Sequence, residues 1–168
     1  QNNINPSGSA MFDSSVRPEF VCDSTATHLG SGYYKSDSTK IEVRNLSGAG
    51  SLRAQWTSSS DCHYTIETKQ TKATAFTGTI AAEDGDPKTG GGKYTRYINL
   101  SVIGDDSETP NSLTITQRQN TSSSDSSQAL STLTVSDNAK VIFGENGGWG
   151  YGHVIVGDDG YLECTNKI

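Results

Sequence analysis

From Pro18 onward the apolar residues fall on alternate positions in short runs. EFVC opens the pattern, KIEVRN places Ile41 and Val43 on one face, and LRAQW sets Leu52, Ala54 and Trp56 against Arg53 and Gln55. HYTIETK, AFTGTIA, KYTRYINLSVI and SLTITQRQ continue it, with Tyr64 and Ile66, then Ile98, Leu100 and Val102, then Leu113 and Ile115 facing one way. A period of two predicts half-buried β-strands, about seven of them. No segment carries a helical period of useful length.

The last third repeats itself. Leu133 to Phe143 reads LTVSDNAKVIF and Val154 to Cys164 reads VIVGDDGYLEC, two short strands around a tight polar turn. Such a repeat predicts a stacked or hairpinned β surface, because the alternating apolar residues share one face and the turn residues tolerate unusual backbone angles. The connections elsewhere, HLGSG, LSGAG, EDGDPKTGGG and GDDSETPN, are clusters of Gly, Asp, Asn and Pro. Parallel sheets ordinarily need crossover helices, and none is legible here, so the strands predict an antiparallel, immunoglobulin-like β-sandwich. Four segments follow: a flexible arm over 1–15, the sandwich over 16–119, a Ser-rich linker over 120–131, and a β-repeat tail over 132–168. The expected fold is therefore all-β, an immunoglobulin-like sandwich with a small C-terminal hairpin or solenoid-like extension.

Residues 40–119 resemble the Bacteroidetes-associated carbohydrate-binding often N-terminal (BACON) domains. The likeness rests on KIEVRNLSGAG, on Trp56 before a Ser-rich turn, on YTRYINLSV with Arg96 ahead of it, and on the closing SLTITQRQ. It implies an immunoglobulin-like sandwich from an exported glycan-handling protein of gut bacteria or a virion protein of their phages. An antibody-type domain departs further, since Trp56 lies well beyond the expected spacing from Cys22. The repeated tail resembles rungs of bacterial surface β-solenoids, but two rungs cannot bury a solenoid core, which makes the tail a contact surface.

Composition narrows the class. Hydrophobic residues make up 32% and charged residues 19%, there are 18 Gly, and about a quarter of the chain is Ser or Thr. Hydroxyls rather than charges carry solubility, as in extracellular β proteins. The formal net charge is −6 without a basic cluster, so nucleic acid is not an expected partner. No apolar run is long enough for a membrane-spanning helix, and a start at Gln1 fits a processed, exported or virion protein as well as a trimmed one.

Few residues suggest chemistry. Cys22 and Cys62 both lie in strand-like runs and are the expected disulfide in an oxidising compartment, with two buried thiols as the alternative. Cys164 sits at an inward position of the second repeat, as a small hydrophobe or a partner for something outside the chain. Alternation points Cys62 and His63 to opposite faces, against a thiol–imidazole nucleophile. His28 and His153 have no ligand at metal spacing. Asp84 and Asp86 form a D-x-D fragment that could hold Ca²⁺, although Pro87 and Lys88 break the loop pattern and turn formation explains it better. The sequons at Asn45, Asn99 and Asn120 are no more than a Ser/Thr-rich chain yields by chance.

GENGGWGYGH is the most suggestive stretch. Trp149 and Tyr151 share a face if extended, with Glu145 and Asn146 beside them and glycines that leave them uncovered. Such aromatics suit an interface anchor, packing on the chain's own sheet, or sugar stacking. The sequence thus predicts a non-enzymatic structural or adhesive protein, exposed on a virion or cell surface and assembling with other copies of itself or a capsid or filament lattice. A secreted carbohydrate-binding module is the alternative, and no cofactor is expected.

Overall fold

The computed structural model describes residues 2–4, 17, 19–22, 26–29, 36–54, 62–82, 96–119, 131–150 and 152–165. Fourteen strands run through them. In order they are β1 (Asn2–Ile4), β2 (Glu19–Cys22), β3 (Ala26–Leu29), β4 (Ser36–Gly48), β5 (Ser51–Ala54), β6 (Cys62–Lys69) and β7 (Thr74–Phe76). Then follow β8 (Thr79–Ala82), β9 (Arg96–Ile103), β10 (Asn111–Gln119), β11 (Thr132–Ser136), β12 (Ala139–Trp149), β13 (His153–Val156) and β14 (Tyr161–Cys164).

Each strand pairs with its counterpart one circuit later in the chain, and every ladder among the described residues is parallel. Ile4, Leu29 and Ala54 stand in line, evenly spaced along the sequence. Near the other end, Leu133 and Val154 are in line after a shorter interval. The chain therefore winds in stacked coils. One side is a four-stranded sheet ordered β1-β3-β5-β8, and the rest is a ten-stranded sheet running from β13 through β4 to β14, with β2 also on β4.

The long strand β4 folds that larger sheet around the core. Its first part pairs with β6, and its last residue, Gly48, pairs with Cys22 and Phe76 on the other arm. The bend sits at Asn45, whose φ is 53°, a left-handed conformation that Asn tolerates better than most residues. Its side chain is buried and fixed to the next coil. Oδ1 accepts from Thr71 N at 2.8 Å, and Nδ2 donates to Thr71 Oγ1 at 3.0 Å and to Glu19 Oε1 at 3.2 Å.

Between the sheets the inward side chains form columns along the stack. Ile41, Ile66, Leu100 and Leu133 make one, and Val43, Thr68, Val102 and Val135 the next; all are buried. On the second arm Phe76, Ile115 and Phe143 align beside Leu113 and Val141. Alternation is what lets identical positions of successive coils stack, so burial of these columns is the main stabilising term. Thr68 keeps its place among them because its hydroxyl accepts from Leu46 N and Gln70 Nε2 at 3.1 and 3.0 Å.

The antiparallel, immunoglobulin-like sandwich with a small C-terminal hairpin or solenoid-like extension is therefore not the fold. The period of two does mark strand, but it is the same in parallel and antiparallel sheets. What replaces the missing crossover helix is the rest of a coil: β4 reaches its neighbour β6 by way of β5, and β9 reaches β11 by way of β10. The SDNA turn is not a hairpin either. Asp137 and Asn138 are left-handed, with φ of 53° and 59°, yet β11 pairs with β9 and β12 with β10. The turn is a corner between the two arms, and it stacks on the previous corner: Gly104 N donates to Asp137 O at 2.9 Å and Asn138 Nδ2 to Ser107 O at 2.7 Å.

Strands on either side of the Ser-rich tract thus belong to one sheet. Residues 120–130 of that tract and residues 1 and 5–15 of the arm lie outside the described residues, while Asn2–Ile4 pairs with β3.

Candidate functional site

β13 and β14, the two ends of the nine-strand path through the ten-stranded sheet, lie on the same coil. That coil continues the inward columns by one position each: Val154 follows Leu133, Val156 follows Val135, Leu162 follows Val141, and Cys164 follows Phe143. The preceding residues are 0–6% exposed, whereas Val154 is 41%, Val156 44% and Leu162 38% exposed, and Cys164 is exposed with them. The chemistry of the positions is unchanged; among the described residues no further strand pairs with β13 or β14 on that side. Covering these partly exposed aliphatic side chains is worth roughly 1 kcal/mol each.

Outward positions of the coil add Ile155 at 53% and Tyr161 at 50%. Among the described residues, the only other large exposed hydrophobic is Val21, on the edge strand β2. Among the described residues, large exposed hydrophobics therefore occur only on the edge strands β2, β13 and β14. β13 and β14 are short, and β14 carries the exposed Glu163, ion-paired with Lys140, but other protections of a free edge are missing. The two strands carry no proline, no bulge interrupts their registers, and none of the four inward residues is charged. Repeat stacks ordinarily end in a polar cap.

The opposite treatment is visible at β8, the last strand of the four-stranded sheet. There the buried Gln119 side chain takes the place of a neighbouring strand: Oε1 accepts from Ile80 N at 2.5 Å, and Nε2 donates to Gly78 O at 3.0 Å. The β8 edge is closed by a side chain, whereas β13 and β14 are open.

The corner next to the open coil is acidic. Asp105, Asp106, Asp137 and Asp159, with Lys69 and Tyr161, line an open groove of about 690 Å³. Hydrogen bonds from Ser107, the side-chain hydroxyl foremost, hold the Asp105 carboxyl below its ordinary range, with Asn111 adding to them. No group of three or more metal-ligating side chains forms among the described residues.

The GENGGWGYGH stretch does not gather into one site. Glu145 and Asn146 are exposed where β12 runs past bulges in its ladder with β10. Gly147 presses against Ile115 O, where a Cβ would stand 2.0 Å from that oxygen. Trp149 turns the other way and packs, half-buried, against the core, with Nε1 3.5 Å from Ser131 O. Tyr151, Asp84 and Asp86 lie outside the described residues. Cys22 is buried on β2 beside Gly48, and Cys62 begins β6 opposite Ser36 on the other arm; the Cys62 and His63 side chains are outside the described set.

Sequence reasoning marked the repeated tail as a contact surface but missed which residues form it. The signal was present in the interval from Leu133 to Val154. Taken as a coil length rather than a hairpin spacing, it puts Val154, Val156, Leu162 and Cys164 on the last inward face of a stack.

No protein-family model, no curated protein and no solved structure matches the chain. The likeness to BACON domains stands on its motifs alone, and the sandwich it implies is not the fold observed.

Proposed function

We propose that this chain is a non-enzymatic structural protein, exposed on a virion or cell surface, that assembles through β-strand contacts at β13 and β14. One observation carries the reading: columns buried through the preceding coils continue into exposed Val154, Val156 and Leu162 on two open strand edges. Unpaired edge strands with an apolar inner face are templates for another strand. The Ser/Thr-rich composition and acidic net charge fit an extracellular or virion setting.

A carbohydrate-binding module needs uncovered aromatics. Trp149 packs half-buried against the core and Tyr151 lies outside the described residues, so the exposed edge strands give assembly the stronger support.

The test is sedimentation of the purified chain beside a Val154→Lys/Val156→Lys variant. Both positions are already exposed, so the variant keeps the wild-type melting curve. Association of the wild type that the variant loses is the expected result. A wild type that stays monomeric up to hundreds of micromolar, or one whose association the lysines leave untouched, would remove the proposal.

A further inference from the structure

Where its ladder with β10 is bulged, β12 carries an Asn-Gly pair, Asn146–Gly147. We infer that this pair is a self-modifying site, at which Asn146 sheds its side-chain amide as ammonia and becomes aspartate or isoaspartate. Water is the only co-reactant.

The Gly147 backbone nitrogen attacks Asn146 Cγ. A C–N bond forms, and the side-chain nitrogen leaves as ammonia with the proton that the Gly147 amide gives up. One water molecule then opens the five-membered succinimide. Attack at the side-chain carbonyl restores the normal backbone with an aspartate, whereas attack at the main-chain carbonyl routes the chain through Cγ as isoaspartate.

Among the asparagines whose side chains are described, Asn45, Asn99, Asn111 and Asn138 are each held by side-chain hydrogen bonds. Each also precedes a residue whose Cβ hinders the approach of its nitrogen: Leu46, Leu100, Ser112 and Ala139. Asn146 is exposed, makes no side-chain hydrogen bond among the described residues, and precedes glycine. The fold itself requires that glycine. A Cβ at position 147 would stand 2.0 Å from Ile115 O and 2.8 Å from Gly144 N, so no other residue fits.

Backbone restraint is weak at the same place. β14 pairs with β12 only from Lys140 to Phe143. On the other side the ladder shifts register before and after Gln117, matching Asn146 and Gly148 but skipping Gly147. Regular pairing along both sides of a strand holds its peptides away from ring-closing geometry; a bulge paired on one side leaves room for it.

Conversion adds a negative charge beside the exposed Glu145, in a chain whose formal net charge is already −6. Isoaspartate also inserts a carbon into the main chain just ahead of the pairs Arg118–Gly148 and Gln119–Trp149. It therefore loosens the end of that ladder, while aspartate leaves the backbone path as it was.

The experiment incubates the full chain in mildly alkaline buffer, digests it in acid and follows each asparagine peptide by mass spectrometry, with electron-transfer fragments separating isoaspartate from aspartate. Asn146 is expected to convert about fivefold or more faster than Asn99, Asn111 or Asn138, each of which must first break a hydrogen bond. Isoaspartate appears among its products, and Asn146→Gln, which cannot close the five-membered ring, stays unconverted. The same chain in denaturing urea gives the reference rate. Folded-state conversion an order of magnitude below that rate would overturn the proposal, because the bulge would then protect the pair. Aspartate formed without isoaspartate would overturn it too, by excluding the cyclic imide. The isoaspartate form is expected to melt below Asn146→Asp, which carries the same charge on a normal backbone; equal melting would overturn the loosening of the ladder.

Discussion

Glu42 and Glu67 occupy the same register position on neighbouring strands, an arrangement that repels unless a cation stands between the carboxylates. Two cations do. Arg17 Nη2 lies 2.9 Å from Glu42 and 2.7 Å from Glu67, and Lys40 Nζ lies 3.5 and 2.6 Å from the same pair. Burial raises the Glu67 carboxyl, but the hydrogen bonds from Lys40 and Arg17 outweigh it and hold the group below its ordinary range. A carboxyl lowered in the folded state adds stability above its unfolded value, and that increment is lost as pH falls through the folded one. Glu67→Gln is therefore expected to cost about 1 kcal/mol or less at pH 7. In urea titrations the gap from wild type should close as the pH drops below the carboxylate range. A gap that widens in acid would refute the sign. Alternation alone placed these residues on the outer face; that Arg17 bridges them depends on coils adjacent in space but distant in sequence.

Strand edges and corners set the character of the elements. Gln119 shows how this chain closes an edge it does not expose, with one side chain serving the amide and the carbonyl of β8 and its approach. Gln119→Met keeps the volume and strips both bonds, leaving two buried backbone groups unpaired at about 1–3 kcal/mol each. The denaturation midpoint should fall by the equivalent of about 2–5 kcal/mol; a change under about 1 kcal/mol would mean the edge is satisfied some other way. Corners tell a related story. The left-handed pair Asp137–Asn138 looks like a hairpin turn in isolation, because the local backbone is the same. The corner is chosen by its neighbours: Gly104 meets the Asp137 carbonyl so closely that a Cβ would stand 2.4 Å from it. Strand positions were thus legible from periodicity, while strand partners were not, because no local signal separates a turn that pairs its flanking strands from one that sends them to different ladders.

At the scale of the whole molecule the coils form a series of layers, each held by the layers beside it, so resistance to opening falls toward an uncovered end. Amide exchange should be fastest in β13 and β14, slower in β11 and β12, and slowest in β9 and β10 when the chain is dilute. On the proposed assembly through these edges, raising the concentration should slow β13 and β14 selectively. Uniform exchange along the stack would contradict the layered description, and a fully protected C-terminal coil in the dilute monomer would remove the reason for an assembly edge. Trp149, the residue most suggestive of a site from sequence, packs half-buried against the core.

The amino-acid sequence by itself determined that the chain is made of strands, which residues of each face inward, and where the backbone must turn. Those are short-range matters, fixed by the two-residue pleat and by what Gly, Asn and Asp permit. Direction, pairing and the position of the open edge were decided only in the tertiary structure. An alternating strand has the same inward face beside a parallel or an antiparallel neighbour, and only closure of each coil onto the previous one commits it to the parallel arrangement and leaves the last inward row without a cover.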